Sequence, residues 1–74
     1  MARIEIESEV AGTVWQLAAA LGDALAEGAP VIVLESMKME IPVEAPVAGR
    51  LVELRVEVDD AVSEGQVVAV IEGD

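Results

Sequence analysis

The chain has 74 residues, a formal net charge of −11, and neither cysteine nor histidine. That length makes one small domain, 1–74, with a thin core and no disulfide or thiolate-metal support. The cations Arg3, Lys38, Arg50 and Arg55 are too few for a phosphate-binding surface, so nucleic acid is excluded and an anionic membrane disfavoured.

No apolar run approaches a membrane span of about 18 residues, and the N-terminus lacks the continuous apolar stretch of a signal peptide. A cytoplasmic location is therefore expected. Without histidine, no serine or threonine can be activated as a triad nucleophile. The 15 carboxylates lack the spacing of a calcium loop, so no metal site is expected.

In chain order, Arg3 to Glu7 alternates charged and apolar residues, and Ala11-Gly12 opens a strand. The next stretch, Trp15 to Leu21, is ambiguous, because its alanines and the spacing of Trp15, Leu21 and Leu25 also suit a helix. Turns follow at Gly22-Asp23 and Ala26-Glu27-Gly28, then a buried strand at Val31 to Leu34. A tight turn carries Lys38. The strand after it contains Pro42, which requires that strand to be short or at an edge. Ala48-Gly49 opens another strand, in which Val52, Leu54, Val56 and Val58 alternate with Glu53, Arg55 and Glu57. Turns at Asp59-Asp60 and Ser63-Glu64-Gly65 lead to a last buried strand, Val67 to Ile71.

The chain is also written twice. Shifted by 37 positions, Ile4 to Glu35 lies on Ile41 to Glu72 without a gap, with 13 of 32 positions identical. The repeat resolves the ambiguity, because Trp15 to Leu21 corresponds to the alternating stretch after Arg50 and must also be a strand. Its partner Val52 places Trp15, the sole aromatic residue, in the core. Each copy then holds about four short strands. The expected fold is all-β: a flattened eight-stranded antiparallel barrel-sandwich of two quasi-equivalent four-stranded halves around a pseudo-twofold axis.

Lys38 is the only lysine, in Glu35-Ser36-Met37-Lys38-Met39-Glu40. The repeat places it on the hairpin joining the halves, where a turn tip projects its side chains towards an enzyme. Met37 and Met39 are flexible and polarizable, suited to contact with several partners, or else they cover the hairpin's apolar underside.

Met-Lys-Met on a hairpin between two repeats resembles the biotinyl/lipoyl attachment domains, and the resemblance runs from about Ile4 to Glu72. It includes Glu-Ser-Met-Lys-Met-Glu at 35–40 and Ala-Pro-x-x-Gly at 45–49, and is closest to small free-standing bacterial biotinylated proteins. Ser36 stands where many biotin carriers have alanine, and the spacing from Glu9 to Glu35 leaves no room for the thumb insertion of some carriers.

The resemblance implies a non-catalytic biotin carboxyl carrier. Lys38 would be biotinylated by a biotin protein ligase, with Met37 and Met39 as flanking recognition residues. Glu35, Ser36 and Glu40 would be further contacts for the ligase. The partners implied are that ligase, a biotin carboxylase and a carboxyltransferase. The alternative is a lipoyl carrier, or a dual biotin and lipoyl acceptor. Lipoyl domains usually place an acidic residue before the lysine and a small one after it, so methionine on both sides favours biotin.

Overall fold

Eight antiparallel strands and no helix make up residues 2–73, the residues described in the computed structural model of the chain. The ends of the expected domain, Met1 and Asp74, lie outside them. The strands are β1 (Arg3–Glu7), β2 (Gly12–Leu17), β3 (Ala24–Leu25), β4 (Pro30–Ser36), β5 (Met39–Glu44), β6 (Gly49–Leu54), β7 (Ala61–Val62) and β8 (Val67–Gly73). They form two four-stranded sheets, ordered β1-β8-β6-β3 and β5-β4-β2-β7. The all-β barrel-sandwich expected from the repeat is the observed fold.

The shift of 37 carries each strand of one sheet onto a strand of the other, as a pseudo-twofold axis requires. The halves, however, are not the sheets. Each sheet takes two strands from each half, so neither half has a complete sheet of its own. Between the sheets lie Val14, Val31, Ile32, Leu34, Leu51, Val68 and Ile71, none of them accessible to solvent. Fully burying each such side chain contributes about 1.5–3 kcal/mol.

Both halves repeat the same local devices. The Ala20 N–H donates to the Asp23 carboxylate at 2.9 Å, and the Glu57 N–H to the Asp60 carboxylate at 2.8 Å. Each aspartate thus closes its turn by offering the backbone an acceptor. Pro42 sits on β5, an edge strand that pairs only with β4, where its missing N–H leaves no ladder bond broken.

Trp15 corrects the sequence expectation. It is 49% exposed, not core. The pairing of β2 with β4 slips between Val14↔Leu34 and Gln16↔Val33, leaving Trp15 as the extra residue of a β-bulge. Val52 occupies the equivalent bulge in β6, between Leu51↔Ile71 and Glu53↔Val70. The bulge resets the alternation, so Leu51 is fully buried while Val52 and Leu54 are only half-buried. The strand also ends at Leu54, and Val58 lies exposed in the following turn. Uninterrupted period-two counting assigns Val52, Leu54, Val56 and Val58 to one face, but of these only Val56 is fully within the core. An inserted residue breaks that count.

Beyond β6, the Arg55 guanidinium hydrogen-bonds the Glu53 carboxylate at 2.8 Å and lies 3.5 Å from Glu5. That hydrogen bond holds the Glu53 carboxyl below its usual range. Ala18 is the repeat equivalent of Arg55, so the first half has no such clasp.

The bulge separates two substitutions that period-two counting would treat alike. Leu51→Ala should lower stability by about 2–5 kcal/mol, as for other fully buried leucines. Trp15→Ala should cost less than half as much despite the larger side chain. Urea denaturation of both variants checks this.

Candidate modification site

The hairpin between β4 and β5 is closed by two residues, Met37 and Lys38, with Ser36 paired to Met39. Both loop residues have positive φ, 52° and 64°. Two-residue hairpins of the type that matches strand twist require this, and glycine or asparagine usually supplies it. Methionine and lysine have no such freedom, and a left-handed conformation costs an ordinary residue about 1–2 kcal/mol. Strand pairing from Pro30↔Glu44 to Ser36↔Met39 holds the turn closed against that cost.

The hairpin's base is fixed from the side by Gly12. A β-carbon built there would fall 2.7 Å from the Glu35 carbonyl oxygen and 3.4 Å from the Ser36 side chain. Only glycine lets β2 approach so closely, which packs β2 against the last residues before the turn. Its repeat equivalent, Gly49, approaches the Glu72 carbonyl in the same way. The Ala-Gly pair at the start of each repeat was visible as a strand opening, but its role beneath the hairpin needed the structure.

The path of the chain places the hairpin far from the described termini. From β1, beside Gly73 through the Gly73 N–H bond to Ala2, the chain reaches Ser36 by Gly12. From Met39 it returns to Gly73's side by Gly49. The hairpin and the termini thus occupy opposite ends of a body 36 Å long and 18 Å across.

The residues singled out in sequence come together here. Lys38 is exposed, and Met37 and Met39 are 92% and 65% exposed. The methionines therefore do not cover an apolar underside but stand in solvent on either side of the amine. Glu35 and Glu40 pair with each other across the strands, both exposed. Among the described residues every ion pair belongs to Arg55, and Lys38 has none. The glutamates are thus neighbours of the amine without being bonded to it. Ser36 is half-buried at the base, beside Gly12.

An exposed primary amine on a projecting turn is open to acylation by an external enzyme. The surrounding residues supply no base to activate it. The fold and the hairpin together define a class of small β-domain that presents an exposed primary amine on a projecting turn.

Comparison with known proteins agrees with that class. The family model described as "Biotin-requiring enzyme", the biotin/lipoyl family, matches residues 5–71. The chain belongs to this family, and membership implies a covalently attached biotin or lipoyl group. A curated relative, the biotin/lipoyl attachment protein of Bacillus subtilis (strain 168), is 43% identical over 37 residues; these are 50% of this chain and 51% of that protein, about half of each. Among solved structures, the urea carboxylase of Kluyveromyces lactis matches 97% of this chain with a TM-score of 0.93 and 35% identity, over 6% of its own length. A single-chain, multi-domain long-chain acyl-CoA carboxylase matches 97% of this chain with a TM-score of 0.91 and 32% identity, over 7% of its length.

The turn geometry carries a stability prediction. Met37→Gly relieves one strained residue while adding freedom to the unfolded chain. It should leave the fold at least as stable, with a gain of up to about 1 kcal/mol. Thermal unfolding followed by circular dichroism checks this.

Proposed function

We propose that the domain is a biotin carboxyl carrier and that Lys38 is its attachment residue. The observation that carries this reading is that the only lysine of a biotin/lipoyl-family chain lies at the solvent-facing tip of the β4–β5 hairpin. Methionine on both sides, and the likeness to parts of two carboxylases, favour biotin over lipoyl.

Loading is an acyl transfer at the Lys38 Nζ. The neutral amine attacks the acyl carbon of biotinyl-AMP held by a ligase. A nitrogen–carbon bond forms, the carbon–oxygen bond to AMP breaks, and AMP leaves with the electron pair. The amine's proton passes to a base on the ligase, since the hairpin offers none. Held on Lys38, a biotinyl group would supply the chemistry for moving a carboxyl group between a carboxylase site and a carboxyltransferase site.

The chain's own residues act by presentation. Gly12 and the β4–β5 ladder hold the turn at a fixed place, and Met37 and Met39 give an approaching enzyme an adaptable apolar contact. Glu35, Ser36 and Glu40 complete the contact surface at the base of the hairpin. Tethering the cofactor to the domain raises its effective concentration at both reaction sites.

Co-expression with a biotin protein ligase, followed by intact-mass measurement, tests the reading. The chain should gain one biotinyl group, and Lys38→Arg should gain none. A wild-type chain left unmodified with ample ligase and biotin would overturn the proposal. A lipoyl-sized increment in cells able to add either group would favour the lipoyl reading.

A further inference from the structure

The only aromatic side chain stands outside the core, on the sheet that carries the hairpin. Trp15 is 49% exposed at the β2 bulge, between the pairs Val14↔Leu34 and Gln16↔Val33. Leu34 is three residues from Met37, about 10 Å of strand at 3.4 Å per residue. A protein that closes over Lys38 with an ordinary footprint of about 800 Å² per partner reaches Trp15 as well.

The loop beside Trp15 carries charge of one sign. The loop before β7 lies against β2 through two backbone bonds, from the Asp59 N–H to the Val14 carbonyl at 2.8 Å and from the Val14 N–H to the Asp60 carbonyl at 2.9 Å. That loop brings Glu57, Val58, Asp59 and Asp60 to the side of the bulge, all exposed, with Val58 at 49%. The nearest arginine in sequence, Arg55, is taken up by Glu53 and Glu5. An indole and a valine beside three carboxylates complement a surface that offers apolar side chains and guanidinium groups. Arginine stacks on indole and pairs with carboxylates, so one residue type satisfies both features.

The repeat supplies an internal control. At the equivalent place in the other sheet, Trp15 becomes the half-buried Val52, and Val58 becomes Leu21. That site keeps the bulge and loses the indole. Its turn also has only Asp23 where the second half has Glu57, Asp59 and Asp60, the equivalents being Ala20, Gly22 and Asp23.

We infer that Trp15, Val58 and the flanking Glu57 and Asp59 form a docking surface for the enzyme that loads Lys38, which meets it with an arginine-bearing face. The inference rests on the biotin reading above and adds the surface through which the loading enzyme grips the body of the domain. Bulges re-aim side chains, and here the re-aimed residue is of the type that most often dominates binding energy.

The test is steady-state biotinylation of the purified chain by a biotin protein ligase, with one variant for each feature. Trp15→Ala should raise KM about tenfold or more, as loss of an interface tryptophan does, with kcat changed by less than about twofold. Leu21→Ala, at the equivalent place on the other sheet, should leave both constants unchanged. The double variant Glu57→Gln/Asp59→Asn should raise KM and flatten its dependence on salt, because screened attraction is what those carboxylates supply. In a 15N spectrum the single indole N–H signal should shift when unlabelled ligase is added. A chain modified with unchanged KM in both the Trp15 and the double variant would overturn the surface alone. A chain that no ligase modifies would overturn the biotin reading and this inference with it.

Discussion

Everything in this molecule depends on the interlocking of its two halves. Each sheet is completed by strands from the other half, so neither half can bury its apolar face alone. The buried set draws evenly on both copies, with Val14, Val31 and Leu34 from one and Leu51, Val68 and Ile71 from the other. In a 74-residue chain with no disulfide, that shared core must provide nearly all of the stability. The reward is a body whose strands cannot shift independently, which is what a strained turn at its end needs.

The strain is local and well placed. Met37 and Lys38 hold positive φ without glycine or asparagine, so the hairpin keeps an unfavourable conformation only because β4 and β5 pair up to Ser36↔Met39 and Gly12 packs against the base. The exposed Met37 and Lys38 occupy positions where stability alone would choose glycine or asparagine. The like-charged pair Glu35↔Glu40 directly below adds to the same pattern, since like charges opposite one another disfavour pairing. Local rules are broken together at the one place where Lys38 is presented.

Much of this was legible in the amino-acid sequence, for physical reasons. A duplicated pattern forces duplicated structure, so the repeat identified a strand that local propensity left ambiguous: Trp15 to Leu17 lies in β2, whereas Ala18 to Leu21, like Arg55 to Val58 in the second copy, lies beyond the end of its strand. The place of Lys38 followed from the same symmetry, since only one inter-repeat hairpin exists. Two features were not legible. A bulge inserts one residue without leaving a mark in composition, so Trp15 read as core when it is exposed. The sharing of strands between sheets is equally silent, because hydrophobic alternation records which residues are buried but not which strands they face. The contact of Gly12 with Glu35 and Ser36 follows from that pairing and was hidden with it.

The folded body holds Lys38 in a turn that the isolated segment would not adopt. The most direct measurement compares the whole chain with a synthetic peptide spanning residues 33–42 as substrates of a biotin protein ligase. Two residues held at positive φ cost about 3 kcal/mol together, which corresponds to roughly a hundredfold in the population of the competent turn. The kcat/KM for the peptide should fall at least that far below the value for the folded chain. Equal values for the two substrates would contradict it.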